Sequence, residues 1–282
     1  MKVCAGIVLY NPDIKRLKEC IDAVLPQVER LVLVDNASDN IDKLQSTFNN
    51  DDFVWIKNNE NLGIAAALNQ LTEFARKNDY KWILTLDQDS VCEQNLVSKL
   101  TAAAAETDNT AMVAPFIIDR GIPETGKKKN KPAQETEDVS FCITSGCLTN
   151  TDAVTDVGGF NEWLFIYDVD REICIRLLRK GYRIIRVNGA KLFHEHGLKT
   201  VSRRFLWKKI TYRNYAPVSV YYMTRNLVYM LRKYGREYAP SPLKRKIRMY
   251  IAFYIKFIFE PNRVSRLKAF KNGIREGKAV SL

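Results

Sequence analysis

The sequence predicts an α/β protein: a mostly parallel, doubly wound sheet sandwiched by helices, followed by a basic extension. Three observations predict it. Apolar strand-like runs and periodic helix-like segments alternate four times within about the first 90 residues. The strand-like runs are apolar throughout rather than alternating, which is the pattern of strands covered on both faces. Polar residues end three of them, at Asn11, at Asp35-Asn36 and at Asp87 and Asp89, along the edge where open α/β sheets bind ligands.

Residues 3–9 are apolar and rich in β-formers, and Tyr10-Asn11-Pro12-Asp13 closes them with turn chemistry. This start reads as a first strand rather than a signal peptide, because no small-residue cleavage site follows it. Residues 13–25 carry Ile14, Leu17, Ile21 and Val24 at helical spacing. A second buried strand over 31–34 runs into Asp35-Asn36-Ala37-Ser38-Asp39. A short helix over 41–48 and a third strand over 53–56 follow, ending in Asn58-Asn59-Glu60-Asn61-Leu62-Gly63. An alanine-rich helix over 64–77 leads to the fourth strand, Trp82 to Leu86, which ends in Asp87-Gln88-Asp89-Ser90. Beyond it, 95–105 reads as helix and 112–118 as strand. Residues 119–138 have no period and hold Lys127-Lys128-Lys129; they read as surface loop, either inert or ordering over substrate. Residues 139–144 read as strand, followed by Ser145-Gly146-Cys147-Leu148, a short helix to Asp156 and the Gly158-Gly159 turn. A helix with Ile173, Leu177 and Leu178 on its apolar face stops at Gly181. Strands over 183–187 and 191–193 complete this part, the second ending in His194-Glu195-His196.

A chain of 282 residues, 46% hydrophobic and 27% charged, can bury a full core. One large domain over 1–200 with an appendage over 201–282 fits it better than two equal halves. No uninterrupted apolar run is long enough to span a bilayer as a helix. The six cysteines are scattered without a Cys-x-x-Cys pair, which suits buried reduced thiols better than zinc. Charge is unevenly placed: residues 198–282 hold 21 Lys+Arg against 3 Asp+Glu, a net of +18, so the remainder carries −6 of the total +12. Such a tail implies a polyanionic partner.

The chemistry-bearing residues gather at strand ends. Asp87 and Asp89, at i and i+2 on an extended backbone, project the same way, and two such carboxylates repel unless a cation or donors sit between them. Oxygen ligands there suit Mg²⁺ or Mn²⁺ carrying a diphosphate. The same four residues could also serve only as a turn and helix cap. Asp168, Asp170 and Glu172 crowd a helix N-terminus, where acids favour the macrodipole but are also candidates for a general base. His194 and His196, the only histidines, offer a nitrogen ligand or a structural imidazole. Gly-x-Gly-x-x-Gly does not follow the first strand and no P-loop occurs, which disfavours those nucleotide sites.

Taken in order, the motifs Val8-Leu9-Tyr10-Asn11, Val34-Asp35-Asn36-Ala37-Ser38, Asn61-Leu62-Gly63 with Asn69, Leu86-Asp87-Gln88-Asp89-Ser90, Ser145-Gly146-Cys147, Gly158-Gly159-Phe160, Val169-Asp170-Arg171-Glu172 with Arg176, and His194-x-x-Gly197 resemble family 2 glycosyltransferases of the GT-A type. The likeness covers about residues 1–200, and its nearest subgroup is the bacterial rhamnosyltransferases of surface-polysaccharide synthesis. It implies that Tyr10, Asn11, Asp35, Asn61, Gly63, Asp87, Gln88 and Asp89 bind the sugar-nucleotide donor. It implies that Asp89, Asp87 and His194 hold Mg²⁺ or Mn²⁺, and that Asp170 is the catalytic base. Gly146, Gly159, Glu172 and Arg176 fall on the acceptor side and in the frame. Tyr167-Asp168 stands where that subgroup tends to show Asp-Tyr, so Asp168 is the rival base.

The implied activity is inverting transfer of a sugar, with L-rhamnose from dTDP-rhamnose the first reading, to a glycan acceptor linked to a polyprenyl diphosphate. A UDP-sugar donor and a non-catalytic sugar-nucleotide-binding subunit are the alternatives. The tail interleaves Arg203-Arg204, Lys208-Lys209, Arg232-Lys233 and Lys244-Arg245-Lys246 with aromatics. Its apolar stretch 249–259 suits an interfacial helix on an anionic membrane, so the expected location is cytoplasmic, peripheral at the inner face of the bacterial plasma membrane. The same aromatics would equally serve as the core of a helical subdomain. Nucleic-acid binding is disfavoured, because no recognised module is present and the charge is confined to the tail.

Overall fold

The computed structural model describes residues 1–49, 53–120, 134–194, 200–205, 208–213, 215–259 and 262–282. By packing, the chain divides into two compact units: Met1–Phe165 with Val169–His196, and Ile166–Asp168 with Gly197–Leu282.

The first unit is organised on β1 (Val3–Leu9), buried at every position. It pairs in parallel with β2 (Arg30–Asp35) on one side and β4 (Trp82–Asp87) on the other, and β3 (Phe53–Lys57) lies outside β2. The intervening helices are α1 (Ile14–Val24), α2 (Ile41–Thr47) and α3 (Gly63–Lys77). Strands covered on both faces lose contact with water, which accounts for the apolar runs of β1, β2 and β4, whereas β3 at the sheet's edge is half-buried. The chain steps outward from β1 to β2 to β3, then returns through α3 to β4 on the far side of β1. Strand order therefore reverses between β1 and β4, and such a reversal opens a crevice at the strands' carboxyl ends.

Beyond β4 the sheet becomes mixed. Its order is β3-β2-β1-β4-β8-β6-β9-β5, with β7 joined to β9, nine strands among the described residues. The new members are β5 (Val91–Cys92), β6 (Thr110–Asp119), β7 (Thr136–Asp138), β8 (Cys147–Asn150) and β9 (Arg183–His194), with α4 (Leu96–Glu106), α5 (Thr151–Asp156) and α6 (Val169–Arg179) between them. β8 runs antiparallel to both β4 and β6.

Four sequence expectations are corrected here. Residues 139–144 do not form a strand: Val139 makes one more ladder bond to Ile184, and the chain then crosses to β8. The segment is exposed at Ser140 and Phe141 and turns inward at Cys142 and Thr144, so it crosses to β8 rather than pairing. The strands expected over 183–187 and 191–193 are one strand, with a register shift that sets Val187 opposite Pro115 and Lys191 opposite Phe116. The loop expected over 119–138 begins within β6 and ends in β7, and its residues 121–133 lie outside the described residues. In α6, Leu178 is exposed, and Cys174 and Ile175 join Ile173 and Leu177 in the buried set. All six cysteines are free and buried.

The second unit opens with a hairpin the composition did not announce, β10 (Thr200–Phe205) against β11 (Lys208–Arg213). Three helices follow: α7 (Pro217–Tyr234), α8 (Pro242–Phe259) and α9 (Arg263–Ala279). Gly273 and Gly277 let α9 approach α7 closely; a Cβ at Gly277 would lie 2.5 Å from the carbonyl oxygen of Arg225. Phe253 of α8 stacks on Phe270 of α9, with ring centroids 3.8 Å apart. The strip Ile166–Asp168 is held by Asn226, fully buried in α7, whose amide donates to the carbonyls of Ile166 and Tyr167. Tyr167 and Asp168 both have left-handed backbones, φ 64° and 59°, a conformation non-glycine residues keep only when their surroundings enforce it. Among the described residues, no helix is long and apolar enough to cross a membrane.

Candidate active site

Strand register brings the predicted donor-side residues to one edge. Val8 stands level with both Val34 and Asp87, and Leu9 with Asp35, so Tyr10, Asn11, Asp35 and Asp87 emerge together at the reversal between β1 and β4. Asp35 is 1% exposed. Its Oδ2 accepts from the Ser38 amide at 3.0 Å, and the Ser38 hydroxyl in turn accepts from the Asn11 amide at 2.8 Å. The Asp35 Oδ1 is buried with no hydrogen-bond partner among the described residues. A buried acceptor left unpaired costs about 1–3 kcal/mol, so a ligand's N–H aimed at it recovers that cost.

The neighbouring loops are tied to this edge. Asn11 and Asp39 exchange two hydrogen bonds. The Gln88 side chain accepts from the Tyr10 amide at 2.9 Å and donates to the Tyr10 carbonyl at 3.3 Å, which leaves the Tyr10 ring half exposed on a clamped backbone. Asn36 donates to the Gly63 carbonyl, and the Asn61 side chain accepts from the Gly63 amide. Gly63, at φ +84°, opens α3 against Phe165, and a Cβ there would lie 2.6 Å from that ring.

Asp87, Asp89 and His194 form a cluster in which one ligand atom from each lies within 4.8 Å of the others, and which can hold a metal ion. Register explains it: β5 brings the residues after β4 back onto β9, with Val91 opposite Phe193. The Ser90 hydroxyl, fully buried, lies 2.9 Å from His194 Nδ1 and 2.8 Å from the Ser145 hydroxyl, and Ser145 accepts from the Asp87 amide at 3.0 Å. That chain fixes the imidazole ring and the Asp87 backbone to each other. Burial, then the charges of Asp170 and Asp89, push the Asp87 carboxyl up to about 7. Two carboxylates and an imidazole fit a divalent cation, whose charge would relieve that repulsion.

Asp170 sits in the first turn of α6, and its Oδ1 accepts from the Thr144 hydroxyl at 2.8 Å. Thr144 belongs to a loop fastened to β4: its carbonyl accepts from the Thr85 hydroxyl, and the Gly146 amide donates to the Thr85 carbonyl. Asp168 has a different attachment, accepting from the Tyr238 hydroxyl at 3.0 Å within the second unit. Glu172, 1% exposed, pairs with Arg176, whose guanidinium also donates to the carbonyls of Val157 and Gly159. Asn69 of α3 bonds both backbone groups of Phe160. Glu172, Arg176 and Gly159 thus form the frame behind Asp170. His196 and Gly197 lie outside the described residues.

The sequence assigns no contact to Thr144 or Ser145 and offers Ser90 only as a helix cap, whereas β5 follows Ser90 and Asn95 precedes α4. The partners of Thr144, Ser145 and Ser90 lie 26, 58 and 104 residues away in the chain, and short hydroxyl side chains carry no spacing signal. The available signal was that Ser90 and Ser145 are themselves members of the motifs Leu86-Asp87-Gln88-Asp89-Ser90 and Ser145-Gly146-Cys147.

Comparison with known proteins gives the family and the fold. A family model described as Glycosyl transferase family 2 matches residues 4–173. The chain is 30% identical over 248 residues to the dTDP-rhamnosyl transferase RfbF of Shigella flexneri, covering 82% of this chain and 80% of that protein. Among solved structures, GalNAc-T7 with UDP, GalNAc and Mn²⁺ superposes with a TM-score of 0.62 at 15% identity, over 98% of this chain. The chain spans 56% of the length of that structure. The mannosyltransferase PcManGT of Pyrobaculum calidifontis with GDP-Man and Mn²⁺ gives 0.58 at 16% identity, over all of this chain and 76% of that one. S. aureus TarS with UDP-GlcNAc gives 0.59 at 13% identity, over 98% and 80%. At such identities the structural likenesses carry the fold alone, which is GT-A.

Proposed function

The chain belongs to glycosyl transferase family 2 and is a glycosyltransferase; from that premise we propose that it transfers L-rhamnose from dTDP-rhamnose, with inversion, to a lipid-linked glycan in cell-surface polysaccharide synthesis. The observation that carries this reading is the convergence of Asp87, Asp89 and His194 at the β1/β4 reversal, with Asp170 close enough to perturb Asp87. The choice of sugar rests on the likeness to the dTDP-rhamnosyl transferase.

In this reading the open Oδ1 of Asp35 accepts from the donor's base, and the exposed Tyr10 ring lies along the nucleoside. Asn11 shapes that wall, Gln88 aligns Tyr10, and Asn61 with Gly63 closes the far side. Asp89, Asp87 and His194 would hold Mg²⁺ or Mn²⁺, which supplies positive charge against the leaving diphosphate. Asp170, oriented by Thr144, takes the proton from the acceptor hydroxyl as its oxygen bonds to the anomeric carbon and the bond to the diphosphate breaks. One displacement inverts that carbon, so one base suffices and no glycosyl-enzyme forms. An ordinary carboxylate is a weak base, so positioning supplies most of the acceleration. Asp168 is the weaker candidate for base, because Asp170 is the one of the two whose charge acts on Asp87, while Asp168 meets Tyr238 in the second unit.

Location at a membrane surface is part of the proposal. Leu243, Ile247, Ile251 and Tyr254 of α8 are 68%, 47%, 53% and 53% exposed and recur every three or four residues, among Lys244, Arg245, Lys246 and Arg248. An apolar stripe bordered by cations suits the headgroup region of an anionic leaflet.

The test is nucleoside diphosphate release from a panel of dTDP-, UDP- and GDP-sugars, with Mn²⁺, with chelator, and in Asp170→Asn and Asp168→Asn variants. The expected result is dTDP-rhamnose turnover that chelator abolishes and that falls at least about 100-fold in Asp170→Asn, with Asp168→Asn retaining most activity. Turnover of a UDP-sugar instead would replace the donor. Loss only in Asp168→Asn would move the base two residues, and failure to bind any donor would overturn the reading.

A further inference from the structure

The three described helices of the second unit, with Tyr215, line a cavity of about 260 Å³ that is open to solvent on one side and that the donor site does not use. Its floor is apolar: Met249 and the stacked pair Phe253 and Phe270 line it. Three of its lining residues are arginines, namely Arg245 and Arg248 of α8, both exposed, and Arg266 of α9, 3% exposed, and among the described residues no carboxylate lines it. Apolar walls under cations are the complement of one kind of molecule, an amphiphile with an anionic head. Guanidinium groups are suited to phosphate in particular, since their fork matches two oxygens at once.

The geometry points to a binding site here for a lipid that carries a phosphate or diphosphate on an apolar chain. This inference rests on the lipid-linked acceptor proposed above and gives that acceptor's lipid end a site, separate from the residues that act on sugar. The size fits the assignment. A dry cavity of about 150 Å³ takes one benzene, so about 260 Å³ holds roughly ten apolar carbons, or two isoprene units. The charge fits as well: Arg245 and Arg248 stand one helical turn apart on α8, where both can reach one diphosphate. Arg245 also meets the hydroxyl of Tyr238, which donates to Asp168, so the cavity's rim is tied to the strip two residues before Asp170 in sequence.

The test is calorimetric titration of the full chain with geranyl diphosphate, inorganic pyrophosphate and geraniol. The variants are Arg245→Glu with Arg248→Glu, and Ala252→Trp, which places an indole at the lining of the cavity from an exposed position. The expected result is geranyl diphosphate binding at least ten-fold tighter than either fragment. The double variant should lose at least ten-fold of it, and Ala252→Trp should lose it while keeping weak pyrophosphate binding. Circular dichroism of each variant reports folding, and dTDP binding with Mn²⁺ is titrated in parallel. Pyrophosphate binding as tightly as geranyl diphosphate would overturn the site and leave only attraction to a basic surface, as would variants that bind like the parent. If dTDP binds and geranyl diphosphate does not, the lipid site falls and the donor reading stands; the reverse pattern sinks the donor reading alone.

Discussion

Asp87 shows how the fold alters one side chain. Its carboxyl is raised to about 7, first by burial and then by Asp170 and Asp89, whereas in the unfolded chain an aspartate titrates near about 3.9. The folded state therefore keeps a proton that the unfolded state releases. The stability this gives the ion-free protein is complete below about pH 4 and is lost as pH rises to about 7. The melting temperature in chelator should fall between pH 5 and 8, and Mn²⁺ should restore it at pH 8. Asp87→Asn should flatten the fall, and an unchanged slope in that variant would refute the assignment. This residue was legible because two carboxylates at i and i+2 after an apolar strand declare themselves. The residues alone left Asp170 within a set of three acids and the family resemblance singled it out over Asp168; the structure adds their different contacts, the Thr144 hydroxyl for one and the Tyr238 hydroxyl for the other. Such pairings depend on which loops the fold brings together, and no local pattern records them.

At the scale of elements, the parallel half of the sheet was readable because each strand carries a mostly apolar run and the first three are each followed by a helix. The antiparallel insertion of β8 was not. Cys147–Asn150 is short and mixed in polarity, whereas 139–144 alternates as a strand should yet crosses to β8 without pairing beyond Val139. The single strand β9 was read as two because Asn188-Gly189-Ala190 resembles a turn, while in the structure it is the excess residues of a register shift. Helix contacts in the second unit yield a sharper expectation. Gly277 has no room for a methyl group beside the Arg225 carbonyl and Val228, so Gly277→Ala should destabilise the protein by about 1–3 kcal/mol through overpacking, read by denaturant midpoint. Gly189→Ala, whose Cβ would meet nothing within 4 Å, is the control and should change little.

For the whole molecule, the charge split has consequences that neither unit shows alone. Residues 198–282 carry +18 and the remainder −6. A membrane-facing role for that cationic region, with the exposed stripe of α8, predicts binding to vesicles containing anionic lipid and not to zwitterionic ones. Raising salt from 0.1 to 0.5 M should weaken binding at least ten-fold, because each basic residue near an anionic surface contributes about 1 kcal/mol that salt screens. Ile247→Glu with Ile251→Glu should reduce binding at low salt without changing dTDP affinity. Equal binding to both vesicle types in a sedimentation assay would remove the surface role.

The strip Ile166–Asp168 packs with the C-terminal unit although it is encoded in the middle of the first. Genetic exchange must respect that. A tail transplanted from a relative after residue 196 would arrive with its own residue at position 238 and find Asp168 left behind in the recipient. Three residues and the tail have to travel together, and positions 168 and 238 are expected to change as a pair along a lineage. The module that recombination can move is discontinuous, and a single crossover point cannot excise it.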